Sequence, residues 1–195
     1  MTRALACLLA LLLACCAHSP AQTFFALSAQ PGARVPSRPL KVELRRAGLP
    51  GYLDRPHIVR RATAEQLELG GDERWGAPLD EMVGATLAEN LSQRLPHCVV
   101  FSDAGAISAA ADVRVEVQIF RFERTAEGDA VLLAEVAVHS ANDRPAVMQR
   151  FALHEKPASA RTADIVASLS HLLATLSDGI APLIVRAAAA APSAP

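Results

Sequence analysis

Three segments in the second half of the chain alternate apolar and polar residues, and this alternation constrains the fold more than any other feature. Residues two apart face the same side of a strand, so each segment predicts a half-buried β-strand. The segments cover residues 113–122, 131–140 and 147–154, with turns at 127–129 and 142–145. Because the turns are short, the three strands are predicted to form an antiparallel meander. After Ile119 the apolar positions slip to Phe120 and Phe122, which indicates a β-bulge.

Two further segments repeat apolar residues at the spacing of an amphipathic helix. The first follows Pro78, ends before Pro96 and carries its apolar stripe at Leu79, Val83, Leu87, Leu91 and Leu95. The second covers residues 159–186, and its polar face of Ser, Thr and Asp residues argues against a membrane span. Gly179 and Pro182 lie within it and are expected to bend or end the helix.

Shorter apolar segments in the first half predict additional strands. They cover residues 23–27, 40–44, 57–61, 66–69 and 98–101. Gly70, Gly71 and Asp72 are interpreted as a hairpin tip. The predicted fold class is therefore α/β, a mixed, largely antiparallel twisted sheet packed with two amphipathic helices in one domain. The sequence leaves open whether the helices lie on one face of the sheet or on both.

The N-terminus has the features of a lipoprotein signal. One basic residue precedes eleven apolar residues, 4–14, a length typical of a signal peptide and too short for a stable transmembrane helix. The sequence from Leu12 to Cys15 resembles the bacterial lipobox. In such signals the Cys receives a diacylglycerol thioether and, after cleavage, usually an N-acyl chain as well. Cys15 is therefore the predicted lipidation site, and two or more acyl chains give lasting attachment to a membrane.

Alternatives to this interpretation remain open at the N-terminus. The segment also fits an ordinary secretory signal or an uncleaved anchor. Cys16 is a second candidate for lipidation. If Cys16 carried the lipid, Cys15 would occupy the position directly before it, where lipoboxes have Gly, Ala or Ser. The absence of Asp after Cys15 resembles the signal for sorting to the outer membrane. Cys16 could form a disulfide with Cys98 in an oxidising periplasm, although Cys98 fits better as a buried apolar residue in a strand.

The sequence predicts four regions. They are a lipoprotein signal peptide at 1–14, a lipidated tether at 15–22, a single α/β domain at 23–187 and a disordered tail at 188–195. The six residues 17–22 of this tether reach at most about 20 Å. The folded domain is therefore expected to lie close to its membrane.

Composition and missing motifs exclude several classes of function. The 19 basic and 20 acidic side chains nearly cancel and aromatic residues make up 4%, so the chain has no basic footprint or stacking surface for nucleic acid. The six His residues are scattered without a helical zinc motif, and neither a nucleophile elbow nor a phosphate-binding glycine loop is present. We therefore predict a binding or assembly module with no catalytic residues, no metal and no cofactor.

Three motifs follow the lipobox in a fixed order. PGYLDRPHIVRR occupies 50–61, ERWGAPL occupies 73–79, and LAENLS occupies 87–92. With the C-terminal amphipathic helix, they span nearly the whole chain after the signal. Together these features resemble the PqiC-like (YmbA-like) family of ABC-type transport auxiliary lipoproteins.

The resemblance implies a fold, a set of partners and a role. The fold would be α/β, broadly like the anticodon-binding or TolB N-terminal type. Members act with MCE-domain proteins and an inner-membrane transport component in systems that carry lipids or other hydrophobic molecules between membranes. The implied role is non-catalytic docking of that complex at the periplasmic face of the outer membrane, through a homo-oligomer or a strand-edge contact.

The residues expected to bind the partner are Tyr52, Leu53, Asp54, Arg55 and Trp75. Tyr and Trp are common interface anchors because they bury a large area at low entropic cost. Both residues also fit purely structural roles, in which Trp75 caps the helix and covers the sheet edge and Tyr52 lies in the core. Two other functions compete with docking: a lipoprotein that itself carries a lipid or other apolar ligand, and an envelope enzyme.

Overall fold

The structure is a computed structural model that describes residues 21–141 and 145–189. Its elements are β1 (Thr23–Phe25), β2 (Lys41–Leu44), β3 (His57–Arg61), β4 (Leu67–Trp75), α1 (Leu79–Arg94), β5 (Val99–Ser102), β6 (Val113–Arg124), β7 (Ala130–Ser140), β8 (Val147–Glu155) and α2 (Thr162–Ala189). The predicted order of strands, helix, strand, meander and helix is confirmed. The α/β fold class is confirmed as well.

The eight strands of the described residues join one sheet, and β6 is its centre. β7 pairs antiparallel along one side of β6, and β8 pairs antiparallel with β7. The other side of β6 is shared, because β2 pairs in parallel with its first residues and β3 meets its last residue. β5 then extends the sheet beyond β2, while β4 and β1 extend it beyond β3. The parallel pairings are short and the long pairings are antiparallel. The sheet is therefore mixed and largely antiparallel, as predicted.

The bulge predicted in β6 is confirmed. The register between β6 and β7 shifts between Ile119 and Arg121, which leaves Phe120 as the extra residue. Ile119 and Phe122 are therefore both buried, at 0% and 1% exposure, although they are three residues apart. A bulge redirects the side chains that follow it, and in β6 it turns Arg121 and Glu123 toward the face opposite Phe122.

Both helices pack on one face of the sheet, which settles the alternative that the sequence left open. α1 contacts α2, and α2 packs against β6, β7 and β8. Alternate residues of β6 and β7 are buried beneath them: Val113, Val115, Val117, Ile119, Leu132, Ala134, Val136 and Val138. The opposite face of β6 exposes Arg114, Glu116 and Gln118. The apolar stripe predicted for α1 is buried along its whole length.

The predicted hairpin tip at Gly70, Gly71 and Asp72 is wrong. β4 runs through these residues, and the chain reverses earlier, where Ala62 N donates to Gln66 O at 2.9 Å. The Gly pair instead marks an irregularity, because the register between β3 and β4 shifts between the partners of His57 and Val59. Gly within a strand often marks such a bulge, and the sequence does not distinguish a bulge from a turn.

α2 does not end at Gly179 or Pro182, so of the two expected outcomes, a bend or an end, the end is wrong. An interior Pro costs a helix about 3 kcal/mol, but buried residues on both sides of Pro182 keep α2 against the sheet. Gly179 has a packing role, because a Cβ there would lie 2.3 Å from Cε1 of Phe151. The helix continues through Ala188, which is 4% exposed, to Ala189. These two residues, assigned to the tail from sequence, therefore belong to α2, and 190–195 lie outside the described residues.

Candidate docking site

Four of the five residues predicted to bind the partner lie in residues 50–56, here called the docking segment, and the fifth is Trp75. The chain enters it from a bridge to β6, where Gly48 N donates to Val117 O at 2.9 Å and Ile119 N donates to Gly48 O at 2.8 Å. It leaves at Pro56, whose carbonyl accepts a hydrogen bond from Trp75 N at 2.7 Å. The docking segment is thus held at both ends, by the centre of the sheet and by β4.

A buried carboxylate fixes the docking segment from below. Glu123 is fully buried, and the Tyr52 hydroxyl donates to its Oε2 at 2.5 Å. Arg61 Nε and Arg121 Nε each lie 3.0 Å from its Oε1. A buried charge is tolerated only when it is paired and hydrogen-bonded, and here two guanidinium groups and one phenol meet that requirement. We call these four residues the Glu123 cluster.

The Glu123 cluster joins two distant parts of the sequence. Tyr52 and Arg61 belong to the PGYLDRPHIVRR motif, whereas Arg121 and Glu123 follow the bulge in β6. Without the bulge, strand alternation would turn Glu123 toward the helices and away from Tyr52. The guanidinium carbon of Arg61 also lies 5.9 Å from the centre of the Tyr52 ring, within cation–π range. The cluster therefore depends on two residues of the motif and on the bulge in β6.

The electrostatics of the cluster keep Tyr52 protonated. Burial raises the pKa of the Tyr52 hydroxyl well above its ordinary value of 10.0, and the hydrogen bond and negative charge of Glu123 raise it further. The phenol therefore remains a neutral donor to Glu123 at physiological pH. This state stabilises the carboxylate and holds the docking segment in one orientation.

The structure separates the five predicted partner-binding residues into two groups. Leu53 and Trp75 are 2% and 5% exposed and pack in the core beneath the docking segment. Asp54 and Arg55 are exposed, and Tyr52 is half-buried. Only the second group offers side-chain surface to a partner in this conformation.

Asp54 borders a surface cleft beside the docking segment. The cleft has a volume of about 270 Å³ and also includes Leu49, Leu79, Arg46 and Asp80. The exposed Arg46 forms a salt bridge with the partly buried Asp80, one of two acids in the first turn of α1. Arg46 also lines two neighbouring clefts, so it lies where three surface depressions meet. A partner that contacts Asp54 would therefore meet a grooved, charged surface.

The sequence assigns no role to Arg94, which is the largest fully buried side chain among the described residues. Its Nε donates to Asp178 Oδ1 at 2.6 Å, and its other nitrogens donate to the carbonyls of Gln30, Asn90 and Ala174 at 3.1 Å. Arg94 thus joins α1, α2 and the loop after β1. Nothing in the sequence separates it from an ordinary last-turn cation, because its partners are distant in sequence.

The remaining predictions concern the cysteines and metal binding. Cys15 and Cys16 precede residue 21 and lie outside the described residues. Cys98 is a half-buried free thiol whose Sγ lies 3.3 Å from Ser37 Oγ. Across residues 21–141 and 145–189, no group of three or more His, Cys, Asp or Glu side chains is arranged to hold a metal ion.

α2 is long and apolar enough to cross a membrane by length and composition alone. However, 61% of its most apolar window is buried within the fold. This burial fits the core helix of a folded domain.

Two solved structures share this fold. The crystal structure of an uncharacterized protein matches with a TM-score of 0.72 and 22% identity, covering 85% of this chain and 99% of that one. Protein XCC0632 from Xanthomonas campestris, of family DUF330, matches with a TM-score of 0.69 and 16% identity, covering 86% and 95%. No curated protein matches the sequence significantly.

A family model identifies the chain more directly than these structures do. The model that describes the ABC-type transport auxiliary lipoprotein component matches residues 25–181. The match begins at the last residue of β1 and extends into α2, so it includes the docking segment and the Glu123 cluster. The chain therefore belongs to the family of ABC-type transport auxiliary lipoprotein components.

Proposed function

We propose that this protein is a non-catalytic, lipid-anchored subunit that docks an MCE-type transport complex at the periplasmic face of the outer membrane. The complex would carry lipids or other hydrophobic molecules and would include an MCE-domain protein and an inner-membrane component. Cys15 would hold the anchor, and Tyr52, Asp54 and Arg55 would contact the partner. Leu53 and Trp75 would support that contact from the core.

One observation carries this proposal: the docking segment exposes a charged pair on a rigidly held backbone. Asp54 and Arg55 are exposed, whereas their neighbours Leu53 and Tyr52 are fixed by the core and by Glu123. Preorganised surfaces bind more tightly because little conformational entropy is lost on binding. Opposite charges side by side also set the orientation of a partner with the complementary pair.

Most of the surface clefts give no support to the carrier alternative. Three open clefts are each lined by three or more Arg, Asp or Glu side chains, and a fourth, between residues 36–40 and 185–189, is mostly apolar but includes Arg38. Sites for apolar ligands are lined mostly by hydrophobic and aromatic side chains, with few polar groups. The described interior is instead filled by one cluster of packed apolar residues.

Co-purification from the native envelope tests the proposal. The full-length protein would be solubilised gently and recovered, and its partners identified by mass spectrometry. We expect an MCE-domain protein with the wild type and much less with the Asp54→Ala/Arg55→Ala double variant. Arg150→Ala is the matched control, because Arg150 is 64% exposed on β8 and far from the docking segment in sequence and strand order.

The outcomes separate the hypotheses. Equal recovery of the MCE-domain protein with all three forms would refute docking through residues 50–56. Recovery of the protein alone with co-extracted lipid would favour the carrier function. Mass analysis of the mature N-terminal peptide, with Cys15→Ala as control, tests the anchor independently of either outcome.

A further inference from the structure

Four cations gather at the end of the domain where β2 and β5 begin and α2 ends. We call this region the basic end, and its cations are Arg34, Arg38, Lys41 and Arg186. All four residues are exposed, and none of their side chains forms a hydrogen bond or an ion pair with another described residue. Many arginines elsewhere on the surface are paired, for example Arg114 with Glu43. The basic end therefore leaves positive charge available to a ligand.

Three segments of the chain meet at the basic end, and they are rich in basic residues. No Asp or Glu occurs, and four Lys or Arg residues occur, in residues 34–41, 95–100 and 184–189. The first two segments are joined where Val99 N donates to Leu40 O at 2.8 Å. Asp112 also contacts them, because its Oδ2 accepts a hydrogen bond from Lys41 N at 2.8 Å. Four cations and one carboxylate leave this end positive, although the whole chain has a net charge of -1.

An open and mostly apolar cleft lies within the basic end. It has a volume of about 430 Å³ and separates the loop before β2 from the last residues of α2. Leu40 and Val185 contribute to its apolar lining, and Arg38 is the charged residue of the described lining. Lys41 and Arg186 follow Leu40 and Val185 directly in the chain. An apolar surface is therefore bordered by three cations.

We propose that the basic end binds one anionic phospholipid, with an acyl chain in the cleft and the phosphate beside Arg38, Lys41 and Arg186. Such a lipid matches both features of the site. An acidic peptide would pair with the cations but would leave the apolar cleft empty, and a neutral apolar molecule would fill the cleft but would leave the cations unpaired. Arginine also suits a phosphate, because its planar guanidinium donates two parallel hydrogen bonds.

The fold sets the basic end apart from the start of β1. β1 is parallel to β4, β4 is antiparallel to β3, and β3 is parallel to β6. The chain therefore runs from Thr23 toward the start of β6, which lies beside the start of β2 at the basic end. On this path Ser28 N donates to Ser170 Oγ at 3.2 Å. Arg186 lies about 24 Å farther along α2 than Ser170.

This distance favours a single lipid over the surface of the membrane that holds the proposed anchor at Cys15. Residues 15–22 reach at most about 27 Å when fully extended. The basic end would touch that membrane only with the whole tether stretched along the domain, which costs the most conformational entropy. We therefore take the lipid to be a cargo molecule held in an open cleft for transfer, and this identification as cargo rests on the proposed function.

Photo-cross-linking in the native envelope tests the site. Cells that produce the full-length lipoprotein would be grown with a fatty acid that carries a diazirine at its terminal carbon, and then illuminated. We expect phospholipid adducts on residues 36–40 or 185–189, located by tandem mass spectrometry, with a mass that identifies an anionic headgroup. In the Arg38→Gln/Arg186→Gln variant the yield should fall at least about fivefold, because one cation beside an anionic headgroup changes the affinity by about that factor.

Arg114→Gln/Arg150→Gln is the matched control. It also removes two exposed cations, which pair with Glu43 and Glu135 and lie outside the basic end. Its adduct yield should equal that of the wild type. Equal amounts of the three proteins in the envelope would report intact folding.

Three results would overturn the inference. Absence of adducts at the cleft, in cells whose other envelope proteins are labelled, would show that no acyl chain enters it, as expected if an acidic partner binds there. An equal yield from the wild type and Arg38→Gln/Arg186→Gln, or adducts of mainly zwitterionic lipids, would show that the cations select no anionic headgroup. A cross-link from the cleft to the N-terminal peptide of the protein would show that its own anchor occupies the cleft. Co-purification of the MCE-domain protein from the same cells reports the proposed function separately, so the failure of that function and the failure of this site are distinguishable.

Discussion

Replacing Tyr52 with Phe removes one hydroxyl and leaves the aromatic ring in place. That hydroxyl donates to Glu123, a fully buried carboxylate whose other partners are Arg61 and Arg121. A hydrogen bond to a charged group contributes about 1.5–3 kcal/mol. Tyr52 is only half-buried, so water replaces part of the lost bond, and we expect a loss of about 1–2 kcal/mol in the free energy of unfolding. For a chain of this length, the melting temperature should fall by about 2–8 °C.

Urea unfolding measures this loss directly. Trp75 is the only Trp and is 5% exposed, so its fluorescence reports unfolding. A double-mutant cycle with Glu123→Gln isolates the interaction, and we expect a coupling energy of about 1 kcal/mol between the two sites. A coupling below about 0.3 kcal/mol would refute the role of the hydroxyl. Tyr52→Leu is the contrasting variant, because it also removes the buried ring.

Three further predictions concern the cluster and the helices. The pKa of Tyr52 is raised, so above pH 10.0 the folded state keeps a proton that the unfolded state loses. Stability should be unaffected by Tyr52 below that pH and fall as pH rises above it. Near-ultraviolet absorbance of this single Tyr should show phenolate only on unfolding. Gly179→Ala should destabilise the protein by about 1–3 kcal/mol through contact with Phe151, and Phe151→Ala should relieve that loss in chemical denaturation. Arg94→Met should cost about 2–4 kcal/mol, less than a fully buried pair because Asp178 is half-exposed, and calorimetry should show a lower melting temperature.

Features set by local periodicity could be predicted from the sequence. The three strands of the meander follow from the alternation of apolar and polar residues along the chain, and the bulge near Phe120 follows from a slip in that alternation. The stripe of α1 follows in the same way from helical spacing. The parallel pairings could not be predicted, because Thr23 pairs with Glu73 and Val42 with Val113 across long stretches of chain. Gly70 and Gly71 were misinterpreted because a Gly pair suits a bulge as well as a turn.

The candidate site could be predicted only in part, for the same reason. The motif identified Tyr52, Asp54 and Arg55, but not the buried carboxylate on which Tyr52 depends. Tyr52 and Glu123 are 71 residues apart in sequence. Their contact also requires the bulge in β6, which turns Glu123 toward Tyr52. Trp is a residue type common at interfaces, but tertiary packing buries Trp75 in the core. Residue type thus selects candidate side chains, and only the packing shows which of them remain accessible.

The shared edge of β6 has a consequence for how the chain folds as it is made. β1 and β2 are synthesised first, but their partners are β4, β5 and β6, which come much later. Such long-range pairing closes large loops and slows folding. Until β6 is available, the β1–β4–β3 group and the β2–β5 pair have no strand that joins them, and their free edges are open to wrong association with other chains. The meander of β6, β7 and β8 contains the most local contacts, so it is the natural nucleus onto which the earlier half of the chain assembles.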